Sequence, residues 1–192
     1  MYEPRMMTPQ GILIAATIVA VSAALQLSAA DEKADQNVTL QTVSRKQYEA
    51  IIQKHKGKVV LVDFWATWCV PCLQGYPKTL ELARELKDDG LVVISVSMDE
   101  PDADTREQVL EFLKKQKSTI PNLISSLGGE SEAMEAFDID GGSLPHYKVY
   151  DRSGRLVKKI GVDLENPSDK LHEQVDVAVR EALRRPAGRK SR

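Results

Sequence analysis

The sequence holds two cysteines, three positions apart in Trp68-Cys69-Val70-Pro71-Cys72. A cysteine acts as a nucleophile through its thiolate, and a second thiol one helical turn away can capture the product of that attack as a disulfide. Whether such a pair reacts depends on what holds it. Upstream, Lys58 to Ala66 (KVVLVDFWA) is an almost unbroken apolar, β-branched run, the pattern of a strand covered on both faces. Downstream, Leu80, Leu82, Ala83 and Leu86 predict a helix from about Cys69 to Lys87. Cys69 would then sit at a helix N-terminus, where unpaired N–H groups and the positive end of the macrodipole favour thiolate over thiol. Cys72, one turn on, points back toward Cys69 and can close a disulfide across that turn. Pro71 lacks an N–H that the first turn would leave unpaired anyway.

Other uses of a cysteine pair fit less well. A structural disulfide here would close only a tiny loop and add little to folding. A zinc site needs four ligands, and His55, His146 and His172 are scattered rather than paired. Inert core cysteines have no reason to stand at a strand-to-helix junction. One more group is anomalous: Asp63, a carboxylate inside VVLVDFWA. Burial would drive it toward its protonated form and make it a proton acceptor for Cys72; the alternative is a partly solvated acid near the strand end.

The elements that must position these groups follow from periodicity. Leu91 to Met98 (LVVISVSM) repeats the buried-strand pattern, so strand, helix and strand form a βαβ unit and part of the sheet is parallel. Before it, Ser44 can cap a helix running to about His55, with Tyr48, Ile51 and Ile52 inward. After it, Thr105 to Lys117 is amphipathic, with Val109, Leu110, Phe112 and Leu113 inward. Pro121 to Ile124 reads as a short strand and Ser131 to Phe137 as a short helix. Tyr147–Tyr150 and Arg155–Ile160 flank Asp151-Arg152-Ser153-Gly154, a hairpin with its turn chemistry in place. Asn166 as cap and Pro167 at the first helical position start a last helix to about Leu183. The predicted fold class is α/β: a central mixed β-sheet with helices on both faces and an inserted helix after the βαβ unit.

A length of 192 residues bounds the chain to one domain with appendages. With 42% apolar and 28% charged residues it is an ordinary globular composition, not a disordered one. A net charge of −2 argues against nucleic acid as a partner, which would call for a clustered basic surface. Gly11 to Leu27 is apolar apart from Thr17, Ser22 and Gln26, and ends in Ser28-Ala29-Ala30. Residues 1–30 therefore read as an export signal cleaved after Ala30, or as an N-terminal anchor that tethers the chain to a membrane. Both place the rest outside the cytoplasm. Residues 31–37 read as a linker, 38–184 as the folded domain, and 185–192 as a basic disordered tail.

The segment VDFWATWCVPC resembles the active-site strand and helix start of the thioredoxin superfamily. The leader, the extra helix and the later GGSLPHYKVYDRSGRLV are most similar to TlpA-like thiol–disulfide oxidoreductases, over about Val38 to Leu183. The resemblance implies that Cys69 attacks, that Cys72 resolves, and that the two form the redox disulfide. It implies that Pro145 of Leu144-Pro145 is a cis-proline whose loop packs on the disulfide and offers backbone to an extended substrate segment. Only X-Pro bonds go cis at low cost. Asp63 matches a buried aspartate of many thioredoxins. Trp68, Val70, Pro71, Leu144 and His146 would face the substrate. The implied enzyme is a periplasmic monomer without cofactor or metal; it exchanges disulfides with partner proteins, is fed by an upstream electron donor, and can serve cytochrome c maturation. Leu73 and Gly75 depart from the basic residue and glutamate frequent in relatives, whereas Pro77 matches a common helix proline. His146 stands where a small hydroxyl residue is usual. There it could tune the thiolate, contact substrate, or join both thiols on Cu(I) or zinc; a solvated strand-end histidine is the plainer reading.

Two other classes compete. A peroxiredoxin-type peroxidase wants threonine or serine three positions before its cysteine, where this chain has Ala66, with Thr67 one position nearer. A metal carrier or passive binding module would use the same fold without turnover. For an oxidoreductase, Val70-Pro71 offers no side-chain donor and one fewer N–H to the thiolate, which predicts a reductant rather than an oxidant.

Overall fold

The computed structural model describes residues 38–162 and 170–186. The expected leader and linker, the Asn166-Pro167 helix start and all but the first two residues of the basic tail lie outside the described residues.

Six strands form one mixed sheet in the order β1-β4-β3-β2-β5-β6. They are β1 (Gln41–Val43), β2 (Val59–Trp65), β3 (Leu91–Ser97), β4 (Asn122–Ser125), β5 (His146–Tyr150) and β6 (Leu156–Gly161). The helices are α1 (Arg45–Lys54), α2 (Val70–Glu85), α3 (Ala103–Lys115), α4 (Ser131–Ala136) and α5 (Leu171–Arg184). Strand β2 lies parallel to β3, in register from Val59↔Leu91 to Trp65↔Ser97. It lies antiparallel to β5, with Asp63 opposite Tyr147 and Phe64 opposite His146. This is the expected mixed sheet, with α3 as the inserted helix.

Every residue of β2 is buried, as its apolar run required. Alternation sorts its side chains to two faces. Val60, Val62 and Phe64 pack with Tyr48, Ile52, Met134 and Phe137 of the α1/α4 layer. Val59 and Leu61 pack with Tyr147 of β5 and with Leu82, Leu86, Val175 and Val179 of the α2/α5 layer. Trp65 and Ala66 join Tyr76, Leu80, Val109 and Leu113 around the two cysteines. Among the described residues no helix is long and apolar enough to cross a membrane.

The boundaries shift where a cap was not recognised. Helix α3 starts at Ala103 because Asp102 caps it, its carboxylate accepting the Thr105 N–H at 3.0 Å. Strand β1 was not anticipated; three residues are too few for a period to show, and β1 is fixed by parallel pairing with β4 from Gln41↔Leu123 to Val43↔Ser125. The hairpin turn forms as expected: Asp151 Oδ1 accepts the N–H groups of Ser153 (2.8 Å) and Arg155 (3.1 Å).

Candidate active site

The chain leaves β2 at Trp65 and enters α2 at Val70, so Cys69 is the N-cap residue, in extended conformation. The Cys69 side chain makes no capping hydrogen bond to this helix. An N-cap side chain faces the N–H groups two and three residues on, and here the first of those belongs to Pro71, which has none. The Cys72 N–H is therefore the remaining capping donor for the Cys69 sulfur. The two cysteines form a disulfide with their Cα atoms 5.2 Å apart. Both are buried, Cys69 at 5% and Cys72 at 3% exposure, while Trp68 and Val70 beside them stand 60% exposed. Pro71 is exposed as well.

The loop carrying Trp68 is pinned by a carboxylate that the sequence did not single out. Asp99, 2% exposed, accepts the Thr67 N–H at 3.1 and 3.0 Å and the Thr67 hydroxyl at 2.5 Å. Ser97 Oγ donates to its other oxygen at 2.7 Å. The Thr67 hydroxyl is thus committed to Asp99, and buried Ala66 occupies the position where a peroxidase would need a hydroxyl. Asp99 follows the end of β3 as Thr67 follows the end of parallel β2. The carboxyl ends of adjacent parallel strands are where a doubly covered sheet exposes its chemistry, and that placement was the available signal.

The Leu144–Pro145 peptide bond is cis. Leu144 packs against the cluster that contains both cysteines, and Pro145 is buried. Asp63 lies on the α2-facing side of β2 at 2% exposure, which removes the solvated alternative. Burial raises its carboxyl to about 7, against the pull of the Thr79 hydroxyl, which donates to Oδ2 at 2.6 Å. Thr79 belongs to α2, the helix that carries Cys72 at its start.

His146 requires a correction. It is not a solvated strand-end residue: it is 1% exposed, and neither ring nitrogen has a hydrogen-bond partner among the described residues. Its ring lies edge-on to Phe64 at 6.2 Å, on the α1/α4 side of the sheet, opposite to the side of Asp63. Burial, with the nearby Lys148 charge, lowers it to about 4, so it is neutral at ordinary pH. The ring therefore offers neither a cation to a thiolate nor a surface to a docking partner. Among the described residues no cluster of three or more His, Cys, Asp or Glu side chains is placed to hold a metal ion.

His172 was considered only as one of three scattered histidines, yet it completes the polar layer under α2. Its Nε2 is 3.1 Å from the Tyr147 hydroxyl, and Tyr147 lies opposite Asp63 across β2 and β5. A Cβ at Gly75 would come within 2.4 Å of His172 Cε1. Gly75 is thus the residue that admits this imidazole.

A model of the Redoxin family matches residues 29–175. The thiol-disulfide oxidoreductase ResA of Bacillus cereus is 31% identical over 105 residues, covering 55% of this chain and 56% of that protein. The thioredoxin-like protein YneN of Bacillus subtilis is 37% identical over 90 residues, covering 47% and 51%. The matches thus span a little over half the length of these relatives. Among solved structures, a thioredoxin-family thiol:disulfide interchange protein from Chlorobium tepidum superposes with TM-score 0.51 at 26% identity, over 68% of this chain and 83% of that one. A second thiol:disulfide interchange protein from the same organism has the same fold, at TM-score 0.54 and 23% identity, with the same coverage.

Proposed function

The chain belongs to the Redoxin family, and from that membership and its thioredoxin-like fold we propose that it is a thiol–disulfide oxidoreductase reducing disulfides of partner proteins outside the cytoplasm. In the reduced form the Cys69 thiolate attacks a partner disulfide; a Cys69–partner S–S bond forms as the partner's own S–S bond breaks, and one partner sulfur leaves as a thiolate. Asp63 takes the proton of Cys72, whose sulfur attacks Cys69 and displaces the second partner thiolate. Two electrons pass to the partner, and the Cys69–Cys72 disulfide remains. An upstream donor of the dithiol class returns the site to its reduced form.

The observation that carries this reading is the Cys69–Cys72 disulfide at the N-cap of α2, flanked by exposed Trp68 and Val70 and packed with Leu144 of the cis-Pro145 loop. A partner's extended segment would lie across Trp68, Val70, Pro71 and that loop. The reductant direction is supported by the missing Pro71 N–H and by the neutrality of His146, which together leave the Cys69 thiolate with little extra stabilisation. Export rests on the apolar leader and its Ser28-Ala29-Ala30 end, with either cleavage or retention as a tether. We take the protein to act as a monomer.

The test uses the reduced protein and a disulfide-bonded protein such as insulin. One insulin disulfide should be lost for each Cys69–Cys72 disulfide formed, and Cys69→Ser should transfer nothing. Oxidation by hydrogen peroxide with no transfer to insulin would favour the peroxidase reading instead.

A further inference from the structure

A buried acid that takes a proton from Cys72 must release it before the next turnover, and the 2% exposure of Asp63 closes the direct route. The Thr79 hydroxyl donates to Asp63 at 2.6 Å, and it lies near enough to the Tyr147 phenol, which stands opposite Asp63 across β2 and β5, to lower its pKa. The Tyr147 oxygen is 3.1 Å from His172 Nε2. Thr79 and half-buried His172 both line a cleft of about 290 Å³ between α2 and α5, open to solvent and set among Lys78, Glu81, Glu173 and Asp176.

We propose that Asp63 exchanges its proton with solvent through this α2/α5 cleft, along a relay of Thr79, Tyr147 and His172. The proposal rests on the reading that Asp63 is the acceptor for Cys72. Outward, the Asp63 acid proton passes to Thr79 Oγ1, the Thr79 proton to the Tyr147 oxygen, and the Tyr147 proton to neutral His172 at Nε2. The imidazolium then loses a proton to cleft water, and Asp63 is a carboxylate again. Inward transfer runs the same hydroxyls in the opposite sense, with Thr79 donating to Asp63. Thr79 and Tyr147 are each donor and acceptor, so neither needs to carry a net charge.

The surrounding groups suit the transfer. Burial raises Asp63 to about 7; Tyr76 on α2 is raised by burial and stays a neutral phenol, as does Tyr147. Burial and then the Lys78 charge lower His172, against the Gly75 backbone, which favours its protonated form. Burial thus raises the acid at one end and lowers the base at the other, so an imidazolium formed at His172 gives its proton up readily to cleft water. Gly75 is required for the arrangement because any side chain there would displace the imidazole.

The experiment follows the rate at which Cys72 resolves a Cys69–glutathione mixed disulfide, by acid quench, between pH 6 and 8.5. His172→Gln keeps a polar partner for Tyr147 but cannot carry the proton, and should slow resolution about tenfold near pH 7. His172→Ala opens space in the cleft and should slow it similarly, with added imidazole restoring the rate; imidazole should leave the native protein and Asp63→Asn unchanged. If Asp63→Asn is slow while His172→Gln matches the native protein at every pH, the relay is wrong. A slow His172→Ala that imidazole fails to restore also overturns it, since His172 would then serve packing alone. If Asp63→Asn itself resolves at the native rate, the reading of Asp63 as acceptor is what fails.

Discussion

In Cys72→Ser, covalent complexes with partner proteins should accumulate, sensitive to dithiothreitol, and turnover should fall on the order of a thousandfold or more. The attacking thiolate survives in this variant, and nothing remains to displace the partner. Cys69→Ser should form no complexes, because Cys72 sits in the first turn of α2 behind the N-cap residue. The asymmetry is positional: Cys69 adjoins Trp68 and Val70, each 60% exposed, whereas Cys72 packs inward with Tyr76 and Leu80. Iodoacetamide should accordingly modify Cys69 first in the reduced protein. Equal labelling of both cysteines, or complexes from both variants, would refute the assigned roles.

Replacing Asp63 with asparagine should stabilise the fold while disabling the resolving step. Burial holds the folded-state carboxyl at about 7, against an ordinary value of 3.8. Between these values the folded chain keeps a proton that the unfolded chain releases. Its contribution is complete below the ordinary carboxylate range and is lost as pH rises toward 7. The full loss is about 4 kcal/mol, taking about 1.4 kcal/mol for each unit of difference. Asparagine offers Thr79 an acceptor oxygen without the charge. Denaturant unfolding at pH 8 should therefore show Asp63→Asn more stable than the native chain by an amount of that order, with the gap closing toward pH 4. Resolution of the mixed disulfide should slow by about a hundredfold near neutral pH, while its formation changes little. A stability gap independent of pH would mean that Asp63 is not held protonated by burial.

Strands β2 and β3 and helix α2 were legible because their apolar periods are long and their ends carry turn or cap residues. The cysteine pair was legible for the same reason, since its meaning came from the strand before it and the helix after it. Strand β1 and the Asp102 cap were not, one because three residues show no period and the other because Thr105 offers an equally plausible start. His146 was placed among the substrate-facing residues, with a solvated strand-end histidine as the alternative, because β5 was expected to begin at Tyr147. The strand begins one residue earlier, and pairing with Phe64 turns that ring into the core. Asp99 and His172 were missed because their importance is long-range: one reaches Thr67 across parallel strands, the other reaches Tyr147 from α5.

The most direct test of the reductant claim is an equilibrium titration of the native protein in glutathione and dithiothreitol redox buffers. The Cys69–Cys72 pair is expected to pass from disulfide to dithiol in one two-electron step, at a potential more reducing than the glutathione poise of roughly −220 to −260 mV. A transition clearly more oxidising than the glutathione poise would contradict it.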